Sequence, residues 1–276
     1  MGNFVADTAV EGADGHYRAR LSRDWEIWGP NGGYVAAIAL RAAGAATALP
    51  RPASFAGHFL SVADFDAVDL RVTPLRTAKR AASLRVSMTQ RGRAIFEAVV
   101  WATADGEGLQ HDSTALPPVP LPPQLKPMEE LMTPEELQQR YRFWHNFEVR
   151  PIDYVPWTKR LPGAPIWREW YRFRPSASYD DPFADAARLL LLVDTMGWPA
   201  ACRAHPPNNG YVAPSLDVNV QFHRQAPDRE WLLADASAPV AAHGLIGTQA
   251  RVWSDDGRLL ASGGSQLLCR PAPPPG

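Results

Sequence analysis

Only two cysteines, Cys202 and Cys269, occur in 276 residues, far apart and in apolar surroundings. A disulfide framework and a thiolate metal site are therefore not expected, and the pair should be free, buried and reduced. The seven histidines form no His-Glu-x-x-His and no close cluster with cysteine, so no metal site is expected either. An excess of one charge is also lacking: 28 Lys and Arg face 29 Asp and Glu, for a formal net charge of -1. A nucleic-acid partner needs a basic stripe to displace counterions from phosphates, and none is present. No apolar run approaches the roughly 20 residues of a membrane helix, and the amino terminus lacks the charged-then-apolar order of a secretory signal. A cytoplasmic protein without membrane insertion is the expectation. Gly106-x-Gly108 has no third glycine and no following helix, which argues against a dinucleotide. No Gly-x-Ser-x-Gly elbow occurs, and Ser265, in Gly263-Gly264-Ser265-Gln266, lacks the second flanking glycine. The serine-nucleophile route is thereby closed.

The chain does carry a substantial apolar content, 46%, enough for one large domain or two small ones. Its most informative stretch is Ser215 to Arg224. Leu216, Val218, Val220 and Phe222 fall on one face of a period-2 strand, and Asp217, Asn219, Gln221 and His223 on the other. Ser54-Phe55-Ala56-Gly57-His58-Phe59 has the same outline, with Ala56 in place of Asp217.

In chain order, Tyr17, Ala19 and Leu21 alternate with polar residues, and Trp25 and Ile27 resume the alternation. Pro30-Asn31 stops that strand and caps a helix over 32–48, rich in alanine and apolar nearly all round, hence buried. Gly32 and Gly33 at its start leave backbone N–H groups unobstructed. Strands follow at 54–60, 68–72, 80–90 and 94–103, with Arg91-Gly92 turning between the last two. From Leu116 to Pro127 the chain is proline-rich, which reads as an extended linker, and Thr133-Pro134-Glu135-Glu136 is a capping box opening a short surface helix. Alternation predicts strands at 143–149 and 166–173. Asp181-Pro182 caps a second apolar helix running toward His205, with Pro199 expected to kink it. Four more strands are predicted at 215–223, 230–237, 245–253 and 258–269, with Asp256-Gly257 turning between the last two.

The chain thus contains two copies of one plan. Ser54 to Ser215 is an offset of 161, Asp66 to Asp228 of 162, and Gly92 to Gly257 of 165. An internal repeat of this length implies two like domains in tandem: an N-terminal repeat over 1–112, a linker and short helix over 113–139, and a C-terminal repeat over 140–276. Joining the two sheets edge to edge would remove their exposed edges.

A buried helix wrapped by an antiparallel sheet, duplicated, with Gly32-Gly33-Tyr34 opening the first helix, resembles the α+β double hotdog fold. Ser215-Leu216-Asp217 through Phe222-His223-Arg224, then Trp231-Leu232-Leu233, Asp256-Gly257, Ala261-Ser262, Gln266 and Arg270, resemble the acyl-CoA thioesterase II family. The resemblance implies hydrolysis of acyl-CoA to free acid and CoA without a cofactor, in lipid metabolism, by a homo-oligomer (dimer or higher). It also implies a water-orienting group of an Asp, a Thr or Ser on the following strand, and a Gln on the last strand. Asp217 matches the Asp position and is the residue expected to activate the water, and Ser237 stands where the family commonly has Thr. Counted back from Arg270, the Gln position falls on Ser265, with Gln266 one place later. A one-residue shift turns a side chain to the opposite face, so either a bulge restores Gln266 or the site works without it. Asp194, a carboxylate inside an apolar helix, is the rival acid. Gly32, Gly33 and Tyr34 are the expected substrate-binding segment, where N–H groups could polarise the carbonyl. A non-catalytic acyl-CoA-binding or regulatory protein would share every fold signal and differ only at the Asp, Ser and Gln positions.

Overall fold

The computed structural model describes residues 1–272. Two central helices organise it. Asn31 caps the first, Gly32–Ala45, by accepting a hydrogen bond from the Tyr34 N–H at 2.9 Å. That helix ends at Ala45, short of Ala48, because Leu49 precedes Pro50, whose ring disfavours helical geometry before it. Asp181 caps the second, Pro182–Thr195, by accepting from the N–H groups of Phe183 and Ala184, with Pro at the first helical position. It does not run on with a kink. The chain breaks at Met196 and restarts as Gly197–Cys202, where Pro199 falls in a first turn that has no use for its missing N–H.

The helices pack antiparallel. A Cβ on Gly33 would lie 2.8 Å from the Leu191 backbone, near the end of the second helix, and a Cβ on Gly44 would lie 2.6 Å from the Phe183 ring, at its start. Glycine is what lets the two backbones approach. Gly33→Ala is therefore expected to destabilise the fold by about 1–3 kcal/mol, the usual cost of overpacking, read as a lower midpoint in chemical denaturation with an unchanged slope.

Fifteen strands complete the described residues. The first half contributes β1 (Glu11–Ala13), β2 (His16–Arg20), β3 (Arg51–Phe59), β4 (Ala67–Thr77), β5 (Ala81–Gln90) and β6 (Arg93–Thr103). The second half contributes β7 (Phe147–Pro151), β8 (Ile166–Phe173), β9 (Tyr211–Val212), β10 (Asp217–Phe222) and β11 (Trp231–Ala242). It ends with β12 (Leu245–Ser254), β13 (Leu259–Gly264), β14 (Gln266–Leu268) and β15 (Arg270–Pro271). Thirteen strands form one antiparallel sheet in the order β1-β2-β4-β5-β6-β3-β10-β13-β12-β11-β8-β7, with β14 against β12. Outward from the centre, each half repeats one order: β3-β6-β5-β4-β2 on one side, β10-β13-β12-β11-β8 on the other. This is the double hotdog.

The halves join edge to edge at β3 and β10, where Gly57 faces Val218, Ala56 faces Asn219 and His58 faces Asp217. Gly57 and Val218 are 161 apart, the offset of the repeat, so the pseudo-twofold axis passes through that pair. Arg91-Gly92 makes the expected tight turn, with φ of +51° and +78°.

Three segments differ from the periodicity reading. Trp25 closes a 3-10 turn, Arg23–Trp25, and does not continue a strand. Residues 142–146 likewise form a 3-10 helix ahead of β7. Asn146 is fully buried there, accepting from the Gly2 N–H and donating to the Asp24 carbonyl, so its place is set by hydrogen bonds that no alternation encodes. The proline-rich linker is extended but also covers a surface: Leu116, Val119 and Leu125 pack over Trp170, Leu233, Trp253 and Leu259 on the outer face of the second half of the sheet. Trp170 Nε1 donates to the Pro120 carbonyl at 2.9 Å, and Arg150 Nη1 donates to the carbonyls of Pro122 and Leu125. The Thr133–Glu136 capping box forms as read, on the helix Pro134–Gln138. No helix among the described residues is long and apolar enough to cross a membrane.

Candidate active site

The antiparallel helix pair brings the start of the first helix to the last turn of the second, and Asp194 lies at that crossing. The repeat offset of 161 makes Asp194 the counterpart of Gly33, yet the helices begin at Gly32 and Pro182, an offset of 150. Asp194 and Gly33 are contacts, not counterparts. The Asp194 side chain is 5% exposed. Its carboxylate faces the hydroxyls of Ser215 and Ser265 and the backbone N–H of Gly33, with Oδ1 3.4 Å from Ser265 Oγ. A Cβ on Gly32 would lie 2.8 Å from Asp194 Oδ2 and 3.1 Å from the Phe59 ring, so only glycine fits beside the acid. Asn31 ties the helices together as well, its Nδ2 donating to Thr195 Oγ1 at 3.2 Å.

Burial pushes the Asp194 carboxyl up to about 6; the Ser215 and Ser265 hydroxyls and the Gly33 N–H pull it down, and the nearby charge of Asp217 pushes it up again. Such a carboxyl is ionised near neutral pH and more basic than an ordinary one.

Ser265 owes its position to a break in the sheet. β13 stops at Gly264 and β14 starts at Gln266, leaving Ser265 between them, buried. Thr248 holds the break: its Oγ1 accepts from the Ser265 N–H and donates to the Ser265 carbonyl, both at 2.9 Å. The irregularity thus presents the Ser265 hydroxyl to the acid. Gln266 turns elsewhere, its Oε1 3.8 Å from where a Cβ on Gly247 would stand.

Asp217 is the first residue of β10 and belongs with exposed Asn219 and Gln221, on the face opposite Val218 and Val220, which pack toward the helices. Its Oδ1 accepts the Gln266 N–H at 2.9 Å, which anchors the chain directly after Ser265. Ser237 lies on β11, paired with Ile166 and Gln249. Three strand spacings, roughly 14 Å, separate β11 from β10, and Ser237 is on the face opposite Ala234, Ala236 and Ala238 of the core. The structure does not bring Ser237 to either acid. In the helix start, the Gly33 N–H faces Asp194 and the Tyr34 N–H is held by Asn31. The Tyr34 ring is fully buried against Trp25, its hydroxyl accepting from the Ser22 N–H and donating to the Asp7 carbonyl.

Two residues at this site escaped the sequence reading. Thr248 had a signal: it is the polar member of the inward series Ile246, Thr248, Ala250, Val252. Ser215 precedes β10 and meets Leu267 in a single bridge, so its pairing with the last strand is a matter of register, not of pattern.

Proteins of known structure share this fold. A hot dog fold protein of unknown function from Alicyclobacillus acidocaldarius is 21% identical, covers 99% of this chain and 99% of its own, and superposes with a TM-score of 0.82. An acyl-CoA thioesterase II from Mycobacterium marinum is 23% identical over 98% of this chain and 99% of its own, with a TM-score of 0.78. Residues 21–103 match the family model of the acyl-CoA thioesterase N-terminal domain, and residues 121–268 that of the C-terminal domain. The chain belongs to the acyl-CoA thioesterase family and is a thioester hydrolase.

Proposed function

We propose that the substrate is an acyl-CoA and that Asp194 activates the water that hydrolyses it. One observation carries this reading: on a single buried carboxylate, from the end of one central helix, converge two hydroxyls of the same half and the helix start of the other half. Asp194 removes a proton from water, whose oxygen attacks the thioester carbonyl carbon. The Gly32 N–H, at the positive end of the first helix, stabilises the oxyanion. The C–S bond then breaks, and the CoA thiolate takes up a proton as it leaves. Ser215 and Ser265 hold the water, with Ser265 where the family resemblance puts Gln. Asp217 acts through position: it fixes the backbone after Ser265, and its charge raises the basicity of Asp194.

Release of free thiol from a panel of acyl-CoAs of increasing length tests this reading. Turnover is expected, with kcat/KM rising with pH up to about 6 and level above, as the carboxyl at about 6 ionises. A profile already flat from pH 4 upward would remove Asp194 from the role. Ser215→Ala and Ser265→Ala should each cost less than loss of the base, because a second water can take over part of a hydroxyl's hydrogen bonding.

A further inference from the structure

The residue before the first helix and the last residue of the second are bonded to each other. Asn31 precedes Gly32, whose N–H is assigned above to the oxyanion, and Thr195 follows Asp194. Both are buried, at 7% and 8% exposed. Asn31 Nδ2 donates to Thr195 Oγ1 at 3.2 Å, while its Oδ1 is taken by the Tyr34 N–H at 2.9 Å and its own N–H donates to the Trp25 carbonyl at 3.0 Å. One side-chain amide thus has two separable roles. Its oxygen caps one helix, and its nitrogen holds that helix to the other.

The rest of the crossing fixes the helices less narrowly. Gly33 lies against the Leu191 backbone and Gly44 against the Phe183 ring. Contacts of this kind are non-directional, so they set how close the helices come more firmly than where one stops along the other. The Gly33 N–H faces Asp194, but that contact involves the acid itself, which changes charge during the reaction. A hydrogen bond between two short neutral side chains specifies the position and stays constant.

The opposite end of the helix pair offers a comparison within the same chain. The helices start at Gly32 and Pro182, which makes Asp181 the counterpart of Asn31 and Gly44 the counterpart of Asp194. Asp181 also reaches across to the other helix, but to Arg41, in an ion pair at 2.9 Å whose carboxylate side chain is 48% exposed. That end has a glycine in place of the acid, so a charge there disturbs no base. A charged tie beside Asp194 would shift its basicity; the amide–hydroxyl pair holds the geometry and leaves the charge balance alone.

We propose that Asn31, through Thr195, is a positioning residue for hydrolysis: the bond sets the Gly32 N–H at its working distance from Asp194. This role rests on Asp194 as the hydrolytic centre. A displacement of about 1 Å costs on the order of 100-fold in rate. The loss falls on kcat, because the bond orders the groups that act in the transition state and not a contact that holds the substrate.

The test separates the cap from the tie, using the acyl-CoA that wild type hydrolyses fastest. Asn31→Ser keeps the cap, serine being about as good an N-cap as asparagine. It is too short to reach Thr195, whose hydroxyl can turn to the Leu191 carbonyl one turn back. Thr195→Val removes the same bond from the other side, and Thr195→Ser keeps it. Asn31→Ser and Thr195→Val should each lower kcat by about 10- to 100-fold with KM within about twofold. The double variant should be no worse than either single one, and Thr195→Ser should stay near wild type. The denaturation midpoint of Asn31→Ser should also stay near wild type; a role confined to stability would move that midpoint and leave kcat per folded enzyme unchanged. A kcat within about twofold of wild type in either single variant, or additive losses in the double one, overturns the proposal. Asp194→Asn tells its failure from that of the catalytic reading. If Asp194→Asn is inactive and Asn31→Ser is normal, the tie fails and the acid stands; if Asp194→Asn keeps its turnover, the acid fails and the tie falls with it.

Discussion

Asp194→Asn is expected to lower turnover by about 10²- to 10⁴-fold, the contribution of a general base, while the protein becomes more stable. The two effects have one cause. Because the folded carboxyl sits at about 6, above its unfolded value, the native state holds the proton more tightly than the unfolded chain. The stability this contributes is complete below about pH 4 and is lost as pH rises through about 6. At pH 7.5 the ionised acid therefore strains the fold by about 2–3 kcal/mol, at 1.36 kcal/mol per pKa unit. Asparagine keeps the shape without the charge, so the melting temperature at pH 7.5 should rise by several degrees, at about 2–4 °C per kcal/mol for a chain of this size. At pH 4 the difference should largely vanish. Asp217→Asn, assayed in parallel, keeps an acceptor for the Gln266 N–H and should lose far less turnover. If it abolishes hydrolysis and Asp194→Asn does not, the acid is the strand residue.

Arg188→Ala should give the largest loss of stability. Arg188 is 0% exposed, in the middle of the second central helix, and links Asp185 to the 177 and 226–229 segments. Truncation strands Asp185, which is equally buried and whose other oxygen accepts only the Ala226 N–H. Removing one partner of a buried pair costs about 3–5 kcal/mol, so the melting temperature should fall by roughly 10 °C on the scale above. Residual activity at low temperature should remain, since Arg188 touches nothing at the Asp194 site. A fall of under about 2 °C would mean that water reaches the pair and satisfies it.

The duplication was legible because two properties survive sequence divergence: period-2 alternation and the spacing between matching strands. Even the β3–β10 joint is implicit in the numbers, since Gly57 and Val218 differ by the repeat offset and face each other. The site was less legible. Asp217 has the outline of a functional strand residue, but alternation cannot say which face of the sheet carries the chemistry. Asp194 was visible as a costly carboxylate in an apolar helix, and its partner Gly33 was visible too. What joins them is the antiparallel crossing of the helices, a tertiary fact with no local signature. At the last strand the shift between Ser265 and Gln266 was plain, but a break held by Thr248 from the neighbouring strand depends on register alone.

The crossing at Gly33 and Asp194 also bears on how the chain reaches its working state. Either half can collapse around its own helix through contacts near in sequence, but the acid meets its helix start only when segments some 160 residues apart close together. Such long-range closure comes late and slowly. After dilution from denaturant, burial of Trp170 and Trp253 within the second half should therefore precede recovery of hydrolysis, and the interval between the two signals is the time the halves take to dock.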